Sequence, residues 1–111
     1  MQKEVELYEV LYLLNPSFTD REITEKVDFY RTFLMNRGSQ VMIQNRGKRS
    51  LSYPIKGFET ANFVQMVYLG NGNLVSMLDK EIIRDTSILR YLTTKLPQPS
   101  ESYFYKYVNS Q

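Results

Sequence analysis

The sequence contains no cysteine and no histidine. Without cysteine there is no thiol nucleophile, disulfide or redox switch, and without either residue the usual zinc sites cannot be built. The side chain most used for proton transfer near neutral pH is missing as well. A catalyst would have to be assembled from carboxylates, lysine or tyrosine, so an enzyme is not expected, and no metal or cofactor is called for. Long apolar runs are also lacking: the longest uncharged one has the length of a strand, so no membrane span is expected. The opening stretch MQKEVELYEV is acidic and alternating, unlike a secretory signal or an acid-poor transit peptide. The chain is therefore expected to be made where it works or to have been processed already.

One further absence is local. From Phe29 to Phe58 there is no acidic residue, while Arg31, Arg37, Arg46, Lys48, Arg49 and Lys56 all fall inside. The net charge of +2 conceals this positive centre between mixed-charge flanks. Such a distribution suits a polyanion, although a solvated charged hairpin would read the same way. The 111 residues are enough for one domain, expected over 1–96, followed by a Pro/Ser spacer and tail over 97–111.

The element order follows from periodicity and punctuation. Glu6 to Leu14 is rich in Tyr, Leu and Val and stops at Asn15-Pro16, a strand. Thr19 and Glu22 have capping-box spacing, and Ile23, Val27, Tyr30 and Leu34 recur at helical intervals up to Arg37-Gly38. Gln40 to about Tyr53 and Thr60 to Leu69 read as strands, separated by a turn at Lys56-Gly57. Asn73 is placed to cap a helix striped by Leu74, Leu78 and Ile82, and Ile88 to Leu96 is the last strand, ended by Pro97. The resulting β-α-β-β-α-β order predicts an α+β, ferredoxin-like sandwich, with a four-stranded antiparallel sheet and two helices on one face.

Alternation sorts the first strand into Tyr8, Val10, Tyr12 and Leu14 on one side and Leu7, Leu11 and Leu13 on the other. In the third strand Val64, Met66 and Tyr68 oppose Phe63, Val67 and Leu69. Two helices bury one face, so Leu11, Leu13, Phe63, Val67 and Leu69 are expected on a second apolar face awaiting a protein partner; a folded-back tail or self-association would also cover it. Tyr103, Phe104 and Tyr105, in a tail with four aromatics in five residues, are expected to join that partner surface, with stacking on bases or docking on their own domain as the alternatives. Alternation also predicts that Lys48 and Arg49 diverge; Gly47 permits a bulge or a close backbone approach, and Tyr53 is expected in a core role rather than stacked on RNA.

Three segments carry a family resemblance. They are Tyr8-Glu9-Val10 through Asn15-Pro16, the central Gly47-Lys48-Arg49-Ser50-Leu51-Ser52-Tyr53-Pro54-Ile55, and Arg84-Asp85 with Leu89-Arg90-Tyr91-Leu92. Together they resemble the sixth protein of the bacterial and organellar small ribosomal subunit; Ser52 stands where that family's motif usually has alanine. The wording around Asn45 to Arg49 and Arg90 to Thr94 is similar to cyanobacterial and plastid members. The resemblance spans about Tyr8 to Lys95 and implies a ferredoxin-like fold, binding to small-subunit ribosomal RNA and pairing with the eighteenth small-subunit protein. It places the work on a ribosome of the plastid stroma or bacterial cytoplasm, with no membrane and no small-molecule substrate. Arg46, Lys48, Arg49, Lys56 and Arg90 are the expected RNA contacts, directed at phosphates because no helix here presents a base-reading set.

Three rival readings are weaker. A general RNA-recognition module would carry Lys/Arg-Gly-Phe/Tyr-x-Phe on its third strand, which here reads TANFVQMVYL. An acyl-phosphate-cleaving enzyme would need a glycine-rich loop after the first strand, where this chain has NPSFTD. A self-associating, ligand-sensing domain would use the apolar sheet face for a homodimer.

Overall fold

Strand β1 (Glu6–Leu14) forms as its β-formers predict and sits in the middle of the sheet, antiparallel to β3 (Phe58–Gly70) and β4 (Ile88–Lys95). Strand β2 (Val41–Ile55) pairs with β3 on the outside, giving the order β2-β3-β1-β4. Helices α1 (Asp20–Met35) and α2 (Gly72–Arg84) complete the β-α-β-β-α-β sequence expected. The computed structural model describes residues 5–97.

Both helices pack on one sheet face. Val10, Tyr12 and Leu14 of β1 and Val64, Met66 and Tyr68 of β3 meet Ile23, Tyr30 and Leu34 of α1 and Leu74, Leu78 and Ile82 of α2. These are the residues that alternation and helical spacing had assigned to the interior. Tyr12, Tyr30 and Tyr68 are the largest fully buried side chains, and burial pushes all three hydroxyls above the ordinary tyrosine range.

The capping box forms: the Glu22 amide donates to Thr19 Oγ1 at 3.2 Å, and the Thr19 amide donates to Glu22 Oε1 at 2.8 Å. Such a cap stabilises by about 1 kcal/mol. Helix α2 starts earlier than read from sequence. Asn71, not Asn73, is its cap, accepting from the Leu74 amide at 3.1 Å. An N-cap oxygen reaches the amide three residues on, so a cap acting on Leu74 has to be Asn71.

Asp85 ties the end of α2 to α1 and to the start of β4. It accepts from the Tyr30 hydroxyl at 2.8 Å, from the Ser87 amide at 3.0 Å, and pairs with Lys26 Nζ at 2.8 Å. Burial pulls this carboxyl upward, but the Lys26 ammonium, Ser87 and the Tyr30 hydroxyl outweigh it and hold it below the usual carboxylate range.

Candidate nucleic-acid interface

The site is built on the long β2–β3 hairpin. At its tip Ile55 pairs with Phe58, and both Lys56 (φ 52°) and Gly57 (φ 84°) adopt left-handed backbone, as a two-residue type I′ turn requires. Strand β2 runs through Pro54, beyond its expected end, because it is an edge strand whose outer side needs no ladder donor.

A bulge then decides which way the cations point. Asn45 pairs with Val64 and Gly47 with Phe63, so Arg46 is an extra residue. Gly47 supplies φ 87°, and its amide donates to Asn45 Oδ1 at 2.9 Å. Downstream, Lys48 pairs with Asn62 on the helix side of the sheet, and Arg49 pairs with Ala61 on the open side. An unbulged ladder would exchange those two orientations. The two residues diverge as expected, in the sense the bulge sets.

On the open face Arg49 lies with its guanidinium 5.7 Å from the Phe63 ring centre. Arg90, paired with Leu13 across β1 and β4, joins it in lining a groove of about 460 Å³ whose other walls include Leu51, Tyr53 and Ile55. Tyr53 was expected in the core but is 64% exposed at this groove. The register slips between Ser50 and Ile55, so this stretch no longer lies flat against β3. Alternation from Arg49 through Leu51 to Tyr53 was the signal that could have placed the ring beside the arginine. Arg90 also lines an adjoining hollow of about 310 Å³ with Lys56.

Arg49 and Arg90 thus come together, Lys56 neighbours Arg90, and Lys48 lies across the sheet. Arg46 is differently placed: its Nε and Nη2 donate to Gln65 Oε1 at 2.9 and 2.6 Å, and the Gln65 amide donates to Glu9. Among the described residues none of these five cations forms an ion pair with a carboxylate. By contrast Arg21, Lys26, Arg31, Arg84 and Lys95 are matched with Glu25, Asp85, Asp28, Glu81 and Glu6.

The expected partner residues occupy the same open face but do not leave it bare. Val67 and Leu13 are buried by the chain's own side chains, so neither offers much surface. Val67 packs with Leu7 and Met42, while Leu13 packs with Ile55, Ala61 and Leu89. Leu11, Phe63 and Leu69 are half-buried, and Leu92, opposite Leu11, is 64% exposed. The band from Arg46 through Gln65 to Glu9 runs across the face from β2 to β1. Tyr103, Phe104 and Tyr105 lie outside the described residues. Among the described residues no group of three carboxylates is placed to hold a metal ion, and no helix is long and apolar enough to cross a membrane.

The family model described as ribosomal protein S6 matches residues 7–95 of the chain. The chain belongs to the ribosomal protein S6 family. The small ribosomal subunit protein bS6c of Guillardia theta is 38% identical over 90 residues, covering 80% of this chain and 94% of the relative. The bS6 protein of Gloeothece citriformis is 37% identical over 90 residues; the match covers 80% of this chain but spans about half, 51%, of that relative. The bS6c protein of Pyropia yezoensis is 34% identical over 93 residues, with 83% and 85% covered. The crystal structure of ribosomal protein S6 from Thermotoga maritima superposes with a TM-score of 0.78 over 97% of this chain and 99% of that one, at 17% identity, and bears on the fold. An S6-family chain is a structural ribosomal component of the small subunit rather than an enzyme. With plastid and cyanobacterial relatives, its place is the ribosome of the chloroplast stroma or bacterial cytoplasm.

Proposed function

We propose that this chain binds small-subunit ribosomal RNA together with the eighteenth small-subunit ribosomal protein, fixing the shape of a folded RNA without chemistry. The observation carrying the RNA half is the convergence of Arg49 and Arg90, from strands far apart in sequence, on one groove beside Lys56, with no carboxylate among the described residues paired to any of them. Phosphates are the natural complement of such a surface. Arg49 and Arg90 lead, Lys56 extends the positive rim at the hairpin tip, Lys48 offers a contact from the other face of the hairpin, and Arg46 chiefly braces the sheet through Gln65. The partner half rests on the half-buried Leu11, Phe63 and Leu69 with exposed Leu92 beside them, and, on sequence grounds, on Tyr103, Phe104 and Tyr105 of the tail.

The test is reconstitution of the small subunit with Arg49→Glu plus Arg90→Glu. The variant should melt cooperatively like the wild type yet incorporate poorly; normal incorporation at physiological salt would overturn the RNA assignment. For the protein half, Leu92→Glu should weaken co-purification with the eighteenth protein while leaving the fold intact, and unchanged co-purification would refute that face.

A further inference from the structure

We infer that the groove between the hairpin and β4 holds a single unpaired RNA nucleotide, its base against Tyr53 and Arg49 and its phosphate on Arg90. The inference rests on the RNA-binding reading above and deepens it. Double-stranded RNA is met by surface contacts to phosphates and 2′-hydroxyls and does not call for a concave, apolar-floored groove. This groove of about 460 Å³ combines an apolar floor with two cations and a ring, which suits a base that has left its stack. Tyr53 is 64% exposed at the rim of the groove. Phe63, 5.7 Å from the Arg49 guanidinium, helps fix that group as a flat cationic platform on which a base can stack. Ser50 and Ser52 line the same groove and bring hydroxyls able to bond a base edge.

The experiment compares two synthetic RNA hairpins, identical except for one bulged 2-aminopurine nucleotide, titrated with the full chain alone and with its partner protein present. The wild type should bind the bulged hairpin about ten-fold more tightly, in line with one stacked base, and quench its fluorescence. Tyr53→Ala should abolish the preference and the quenching while binding the unbulged hairpin as before. Its exposed position means that circular dichroism and melting should match the wild type. Arg49→Gln with Arg90→Gln should weaken both RNAs. Equal affinity for the two hairpins, or a preference that survives Tyr53→Ala, would overturn the nucleotide groove while leaving general RNA binding standing. Binding to neither RNA would remove the broader reading too. Loss of the eighteenth protein, rather than of the bulge preference, on Tyr53→Ala would make the groove a protein site and sink the inference.

Discussion

The salt dependence of RNA affinity separates the cations by role. Five were candidates from sequence, but Arg46 commits Nε and Nη2 to Gln65, which leaves Lys48, Arg49, Lys56 and Arg90 able to turn to phosphate. If each neutralises one phosphate, log affinity against log salt should have a slope of about −2.8 to −3.6, between the single-strand and duplex limits. Raising monovalent salt four-fold would then weaken binding roughly 50- to 150-fold. Arg49→Gln plus Arg90→Gln removes two of the four contacts, so the slope should become shallower by about 1.4 to 1.8. Arg46→Gln should leave the slope nearly unchanged. The assay is a filter-binding or fluorescence titration on a small-subunit RNA fragment at several salt concentrations. A slope near zero for the wild type would refute phosphate contact. A larger change from Arg46→Gln than from the double variant would refute the division of labour drawn from the Gln65 bonds.

Three predictions concern stability. Asp85→Asn leaves Lys26 without its counter-charge; the side chains are 11% and 26% exposed, so the loss should be about 2–3 kcal/mol, or roughly 10–15 °C in Tm by calorimetry. Because the folded Asp85 carboxyl titrates below its unfolded value, its contribution is complete above a pH of about 4 and fades as pH falls through the folded pKa; the gap between wild type and variant should close there. Asp79 is the opposite case: burial raises its pKa and Oδ1 is buried without a hydrogen-bond partner among the described residues, so Asp79→Asn should raise Tm at neutral pH, with the advantage vanishing as acid protonates the wild type. Lys56→Asn should relieve a left-handed lysine, stabilising by about 0.5–1 kcal/mol in urea titrations, while making the RNA salt slope shallower by about 0.7–0.9.

The faces of β1 and β3 were legible because strand alternation is local: the inward set of Val10, Tyr12, Leu14, Val64, Met66 and Tyr68 needed no tertiary knowledge. The same held for the α1 capping box and the α2 stripe. The bulge left a trace in Gly47, but a glycine does not reveal which neighbour becomes the extra residue, so the orientation of Lys48 and Arg49 was not readable. The fate of the open face also depends on contacts distant in sequence. Ile55 at the hairpin tip reaches Leu13 and Leu89, which hides an apolar residue expected to be on offer. The bracing of Arg46 was unreadable for a related reason, since Gln65 became its acceptor only once β2 and β3 had taken their register.

Physical separation of stability from binding follows from this layout. The tyrosine-rich core and the Asp85 junction lie on the helix face or beside it, whereas Arg49, Arg90 and Tyr53 project from the open face. None of those three is needed to satisfy a buried charge, so their removal should alter binding with little effect on folding. The band from Arg46 through Gln65 to Glu9 bears on the partners as well. It crosses the open face between the Leu7–Met42–Val67 cluster and the Leu13–Ile55–Leu89 cluster that floors the groove. An RNA on the groove and a protein over Leu11, Leu69 and Leu92 would then share one sheet and meet at Phe63, which lines the groove as well. On that arrangement each partner should bind the chain in the presence of the other, and a chain preloaded with RNA should still capture the eighteenth protein; mutual exclusion would mean that the two surfaces overlap.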